Sequence, residues 1–171
     1  LITNWFKKYA HSKLHTVEEI LSLSAQGRCY IPSFVECEGN GYTFISSRLM
    51  FIDVDDDEMV TNPVVIAERL KDFCVGLYYT GSHGIKGNRY RLMFVLDDSV
   101  RSIEEYNALN ELLVEDLAKI NVPADKAILG PLQRIRTSLN GYILANSNAR
   151  LSVARYRDRI QRKMMDKLQA K

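Results

Sequence analysis

The sequence predicts an α+β fold, a sheet with helices packed on one face, and three observations carry that expectation. From Leu49 onward the elements follow the order strand, helix, strand, strand, helix, strand, with a hairpin signal ahead of them. One long stretch, Ile103, Tyr106, Leu109, Leu113, Leu117 and Ile120, repeats its apolar residues at helical spacing. Length and composition suit one folded domain: 171 residues, 46% hydrophobic and 26% charged, argue against disorder, collagen-like repeats and coiled-coil bias.

The elements are read in chain order. Trp5, Phe6 and Tyr9 share one side of a helix over residues 2–10, and Thr16 with Glu19 has the capping-box spacing that opens a second. Strands over Cys29 to Glu36 and Tyr42 to Arg48 flank Glu38-Gly39-Asn40-Gly41, whose Gly and Asn tolerate the positive φ of a tight turn. Leu49 to Val54 continues as an apolar run of the kind found in a central strand buried on both faces. Asn62-Pro63 starts a helix through about Phe73, with Asn as cap and Pro where its missing amide is harmless. Val75 to Thr80 and Arg89 to Leu96 are strand-like and are joined by a loop with three glycines. Ser102 and Glu105 cap the long helix, which Asn121-Val122-Pro123 ends. Gln133 to Ser138 and Tyr142 to Leu144 read as a hairpin around Asn140-Gly141. The split β-α-β order is that of a ferredoxin-like or RNA-recognition-motif-like sheet, with an added antiparallel hairpin and N-terminal helices.

Charge is unevenly spread. Residues 150–171 carry eight Lys or Arg against two Asp or Glu, leaving 15 against 19 for residues 1–149 and a net charge of +2. The expected organisation is one domain over 1–149 and a basic C-terminal helix over 150–171, which either contacts DNA, links to a further domain, or is a solvated helix. Beginning at Leu1 and ending inside a helical pattern, the chain reads as a piece of a longer protein. Its longest apolar run, Leu92 to Leu96, is far too short to cross a bilayer and no signal-peptide pattern opens it, so a cytoplasmic location with no membrane partner is expected. Cys29, Cys37 and Cys74 are odd in number and without a C-x-x-C, which favours buried thiols over disulfides or zinc.

Two segments concentrate chemistry. Phe51-Ile52-Asp53-Val54-Asp55 ends a strand with two carboxylates on one side, a costly arrangement unless a cation neutralises them. An acidic surface turn over Asp53 to Glu58 is the plainer alternative, and Asp56-Asp57 allows a site one register further on. In Gly81-Ser82-His83-Gly84-Ile85-Lys86-Gly87-Asn88, His83 and Lys86, followed by Arg89 and Arg91 on one strand face, gather donors suited to a triphosphate or a nucleic-acid backbone. A solvated strand edge would account for the same residues. Asp125, ahead of Lys126 and the Gln133-Arg134-Ile135-Arg136 strand, is either a third carboxylate for a cation or a loop cap. His11 and His15 stand four apart without a third ligand and are set aside.

In order and spacing, Ile52-Asp53-Val54-Asp55, Gly81-Ser82-His83 and Ala124-Asp125 resemble the catalytic core of the archaeo-eukaryotic primase superfamily, in particular the primase-polymerase domains of plasmid and phage replication proteins. The resemblance spans roughly residues 25–145. It implies a DNA primase or polymerase domain that performs template-directed nucleotidyl transfer in the replication of a plasmid, phage or other mobile element. It implies that Asp53, Asp55 and Asp125 hold Mg²⁺ or Mn²⁺ in a two-metal site and that His83 contacts the nucleotide phosphates. Nucleoside triphosphates and a single-stranded DNA template are the implied partners, with a helicase domain or subunit beside them. Ser82, Lys86, Arg89, Arg91 and Arg134 are offered as nucleotide or template contacts from their charge and position, and Tyr78, Tyr79 and Tyr90 as stacking surfaces. The zinc-binding insert of some relatives is absent, and Asp125 follows Pro123-Ala124 rather than a clear apolar strand.

Rival readings remain. A non-catalytic nucleic-acid-binding replication-initiator module would keep the sheet without the chemistry, although acids stand where such a sheet wants aromatic rings. A haloacid-dehalogenase-like phosphatase would use Asp-x-Asp with Thr80, but arginines follow Lys126 where it needs acids. A family-X-type nucleotidyltransferase would need Gly-Ser upstream of the acids, and here it lies downstream.

Overall fold

The computed structural model describes residues 15–38, 41–127, 129–135 and 138–170. Within them lie four α-helices and a five-stranded antiparallel sheet. In chain order these are α1 (Val17–Ser24), β1 (Phe34–Glu38), β2 (Gly41–Asp56), α2 (Pro63–Leu70), β3 (Gly76–Tyr79), β4 (Asn88–Val100), α3 (Ile103–Lys119), β5 (Tyr142–Leu144) and α4 (Arg157–Gln169), which a 3₁₀ turn (Ala154–Tyr156) precedes. The helix expected over 2–10, and His11 with it, lie outside the described residues.

Capping chemistry starts the helices as expected. Thr16 accepts from the Glu19 amide and the Glu19 carboxylate accepts from the Thr16 amide, a complete capping box. Asn62 caps α2 through the Val64 amide, with Pro63 in the first turn. Ser102 caps α3 through the Glu105 amide at 3.0 Å. The structure ends α2 at Leu70, three residues short of the expected Phe73.

The sheet order is β1-β2-β4-β3-β5. The two strands read separately over Tyr42–Arg48 and Leu49–Val54 are one 16-residue strand that serves two partners. Its first part pairs with β1 from Ser46 to Gly41 as an exposed arm, and its second part pairs with β4 from Leu49 to Asp56. Burial follows the switch: Met50, Phe51, Ile52 and Val54 are at most 1% exposed, as a strand covered on both faces requires. Strand β4 lies between β2 and β3, so the β2-α2-β3 crossover is split by an antiparallel neighbour, as the element order predicts.

Alternation along the strands sorts the core into two layers. Met50, Ile52, Val54, Leu77, Tyr90, Leu92 and Phe94 face α2, α3 and Ile160 of α4. The intervening Phe51, Tyr78 and Met93 pack with Leu21 of α1, Leu129 and Ile135 on the other face. Helices therefore flank both faces, correcting the one-faced expectation, because α1 brings its own apolar side to the second face.

The hairpin expected around Asn140-Gly141 is also corrected. Tyr142–Leu144 pairs with β3, and Ile135 makes an isolated bridge to Tyr30. Asn140 donates to the Thr80 carbonyl at 2.8 Å and the Tyr79 amide donates to that of Gly141 at 3.1 Å, so the free edge of β3 captures this turn. Phe34–Glu38 is shorter than the expected Cys29–Glu36 strand and shifted toward the turn. Cys74 is buried, which pushes its thiol up to about 12, whereas Cys29 is exposed, against expectation. Among the described residues no helix is long and apolar enough to cross a membrane.

The basic C-terminal helix lies along α3. Arg159 pairs with Asp116, Lys163 with Glu111 and Glu115, and Lys167 with Glu111, while Ile160 is buried between them. Much of its positive charge is thus directed at α3.

Candidate functional site

The site is built on the second face, where the α1-covered apolar layer gives way to charge. Register places Asp53 opposite Arg91 and Asp55 opposite Arg89, while Arg91 is also opposite Tyr78 on β3. An Asp-x-Asp strand end therefore lies against an Arg-x-Arg strand start with matching spacing, and all four side chains share one face.

The two cross-strand pairs differ in burial. Arg91 is 8% exposed; its Nε and Nη2 donate to the two carboxylate oxygens of Asp53, the latter at 2.9 Å, and Nη1 donates to the Tyr78 hydroxyl at 2.8 Å. Burial works against the Arg91 charge, but Asp53 and Tyr78 outweigh it and hold its pKa above the ordinary value. Burial likewise raises the Tyr78 hydroxyl. Arg89, its own side chain 14% exposed, pairs with both Asp55 and Asp57, whose side chains are 44% and 71% exposed.

Asp125 reaches this face through the main chain. Its amide donates to the Asp53 carbonyl at 2.8 Å, and the Asp55 amide donates to the Pro123 carbonyl at 3.3 Å, with Val54 bridged to Ala124. This single bridge with its two hydrogen bonds occupies the edge of β2 away from β4. Asp125 thus stands opposite Asp53 and shares the face of Asp53 and Asp55. Its carboxylate accepts from the Ala127 amide at 2.9 Å.

Asp56 alternates to the other face and is 2% exposed. Its carboxylate accepts from the amides of Val60 (3.0 Å) and Thr61 (2.7 Å) and from the Thr61 hydroxyl (2.6 Å). Burial raises its pKa, and the Thr61 and Val60 donors more than reverse that, leaving it below the ordinary value. Asp56 is therefore a structural knot beneath the turn.

The glycine loop closes over the turn. Gly87 has φ +94°, and a Cβ there would collide with the main chain of Asp56 and Asp57, so only glycine permits this approach. His83 stacks on Tyr79 with centroids 4.2 Å apart, and its Nδ1 accepts from the Arg89 amide at 3.2 Å. That bond assigns the proton of a neutral ring to Nε2, which is then a donor. The Ser82 carbonyl accepts from the amides of Ile85 and Lys86, and the exposed Lys86 accepts at its carbonyl from Arg89 Nε at 3.3 Å. Arg134 lies exposed on the segment whose Ile135 covers the apolar part of the face, and Arg136 lies outside the described residues. Tyr78 and Tyr90 are fully buried and offer no stacking surface; Tyr79 is partly exposed but engaged by His83. His15 pairs with Glu19 on α1.

Three carboxylates on one face are a hard-oxygen donor set suited to Mg²⁺ or Mn²⁺. In the arrangement found, Asp53 and Asp55 face arginines, and among the described residues no three His, Cys, Asp or Glu side chains surround a common point. Asp55 and Asp125 have solvent on one side; Asp53 has both oxygens occupied by Arg91.

Sequence reasoning missed Tyr78 as the second anchor of Arg91, Asp57 as the second partner of Arg89, and Thr61 as the lock on Asp56. The matching Asp-x-Asp and Arg-x-Arg spacing was a usable signal for the cross-strand pairs. Comparison of the chain with protein-family models, with curated proteins and with solved structures finds no match.

Proposed function

We propose that this chain is the nucleotidyl-transfer core of a DNA primase or polymerase that acts for a replicating mobile element, with nucleoside triphosphates and single-stranded DNA as substrates and a helicase as companion. One observation supports it above the others. The Val54–Ala124 bridge brings Asp125, from beyond α3, to the edge of β2 and onto the face of Asp53 and Asp55. An acidic turn with no further purpose gives no reason for a third carboxylate to be anchored there by main-chain bonds.

In this reading Asp55 and Asp125 hold a divalent cation, with Asp53 joining them where Arg91 yields an oxygen. The cation, once bound, supplies Lewis acidity at the α-phosphate and charge neutralisation. His83 Nε2 and Arg89 donate to phosphate oxygens, and Lys86 adds charge at the loop tip. Arg91 stays beneath, holding β2 and β4 in register at the point where the acids project. The split sheet, with β4 between β2 and β3, supports the reading.

The test is primer synthesis on single-stranded DNA with labelled nucleotides in Mg²⁺ or Mn²⁺. Asp55→Ala is expected to reduce incorporation at least about a hundredfold. Wild-type protein that binds single-stranded DNA in EDTA and incorporates nothing with either metal would refute the reading. That result would favour a non-catalytic nucleic-acid-binding module, the alternative supported by the ion pairing of Asp53 and Asp55 with arginines.

A further inference from the structure

We propose that Asn140 is a self-modification site: its side-chain amide is hydrolysed through a cyclic imide formed with Gly141, and the resulting acid releases the turn from β3. Chemistry and geometry meet at this dipeptide. Asn140 is exposed to water, and Gly141 has no side chain to shield its nitrogen. The Gly141 amide has no hydrogen-bond acceptor among the described residues. In the reaction, the Gly141 nitrogen loses its proton to water or hydroxide and attacks Cγ of Asn140. A new C–N bond closes a succinimide ring, and the Cγ–Nδ2 bond breaks with ammonia as the leaving group. Water then opens the imide at either carbonyl, giving aspartate or isoaspartate.

The consequence lies in what Nδ2 holds. Two side chains of this turn stand in for main-chain donors at the end of β3: the Ser138 hydroxyl donates to the Tyr79 carbonyl, and Asn140 Nδ2 to the Thr80 carbonyl at 2.8 Å. The Tyr79 amide in turn donates to the Gly141 carbonyl at 3.1 Å. The Thr80 carbonyl also accepts from the His83 amide at 3.1 Å, so Asn140 shares its anchor with the foot of the glycine loop. An ionised carboxylate only accepts. After conversion an oxygen faces the Thr80 carbonyl with no proton between them, and the bond becomes a repulsion. Isoaspartate adds a methylene to the main chain as well, which displaces the Gly141 carbonyl from the Tyr79 amide. The same bond gates the reaction. While Nδ2 stays on Thr80, Cγ cannot swing onto the Gly141 nitrogen, so the turn must first open locally. Opening is reversible while the amide survives and permanent once it is hydrolysed.

The test follows conversion and loosening in the same samples. The full chain is incubated in mildly alkaline buffer, and tandem mass spectrometry localises the amide-to-acid mass gain to Asn140, apart from Asn40 and the other asparagines. Asn140 should convert in the folded chain, more slowly than in the chain unfolded by guanidinium chloride. Ser138→Ala, which removes a neighbouring tie, should speed conversion at least about twofold. Hydrogen exchange over residues 79–89 should become at least about threefold faster in the converted fraction and in freshly made Asn140→Asp. Asn140→Gln, whose longer side chain closes the corresponding ring far more slowly, should show no such rise on incubation. The proposal is overturned by absence of conversion at Asn140 in the folded chain, by equal rates in folded and unfolded chains, or by a Ser138→Ala rate equal to wild type. Unchanged exchange in Asn140→Asp, or a rise on incubation in Asn140→Gln, overturns it too.

Discussion

At Asp53 a truncation does two things at once. It removes a carboxylate from the candidate site and takes the two-oxygen partner from the Arg91 guanidinium, which is 8% exposed. Asp53→Ala should therefore lower stability by about 2–3 kcal/mol, whereas Asp55→Ala, at a carboxylate 44% exposed, should cost about 1 kcal/mol or less. Urea unfolding followed by far-UV circular dichroism compares the two. Equal losses would mean that the buried pair is no more important to the fold than the exposed one. The comparison also decides which variant is informative in a catalytic assay: Asp55→Ala tests chemistry on an intact fold. Gly87 is the other residue with a sharp expectation. Because φ is +94° and a side chain would strike the main chain of Asp56 and Asp57, Gly87→Ala should cost more than about 1 kcal/mol and weaken phosphate binding together with stability. An alanine variant with wild-type melting and binding would mean that the loop can stand off the acidic turn without loss.

Among the elements, α4 has the most unusual attachment. Ile160 is buried against α3, and around it Arg159, Lys163 and Lys167 meet Glu111, Glu115 and Asp116. Apolar burial and ion pairing separate by salt, since partly exposed pairs are screened over a Debye length of about 3 Å at 1 M. Amide protection in α4 should fall in 1 M NaCl while that of β2 and β4 holds. Ile160→Ala should cost about 2–4 kcal/mol at any salt. Hydrogen exchange read by mass spectrometry checks both expectations; α4 protection that ignores salt would assign the docking to Ile160 and its apolar neighbours alone. Strand β2 shows the complementary case, an element whose length was visible in pieces. Its exposed half and buried half carry different patterns, alternating over Gly41–Ser46 and continuously apolar over Met50–Ile52, so sequence reading divides what the backbone continues.

For the whole molecule, three carboxylates, one closing a local turn and two joining distant segments, set the acid limb of stability. Asp56 is buried, which raises its pKa, but Thr61 and Val60 donors bring it below the ordinary 3.8. Asp97 is likewise raised by burial and lowered further by the Val153 amide and Ser152, joining β4 to the stretch before α4. Asp116 is held low first by Arg159, joining α3 to α4. Each native pKa is depressed relative to the unfolded chain. The stabilisation is therefore fully present above the unfolded value, near 4, and is lost as pH falls through the lower native values. Urea midpoints should hold from pH 7 to about 5 and decline steeply below pH 4. A midpoint that rises on acidification would contradict the sign. Asp56→Asn, which keeps the shape but not the charge, should shallow the decline.

Local chemistry made the helix starts at Thr16, Asn62 and Ser102, the central position of Leu49–Val54 and the shared face of Asp53 with Asp55 readable from the chain by itself. Capping, proline geometry and strand alternation act over a few residues, so their signals lie within a few residues. The partnership of Asp53 with Arg91, the arrival of Asp125 at the edge of β2 and the capture of Tyr142–Leu144 by β3 were decided by tertiary structure. Each joins segments far apart in sequence, and register between strands is set by packing two whole faces at once. The same limit governs the site. Three carboxylates could be named in advance, but which of them is buried under an arginine and which remains open to a ligand depends on the depth of its partner in the folded sheet.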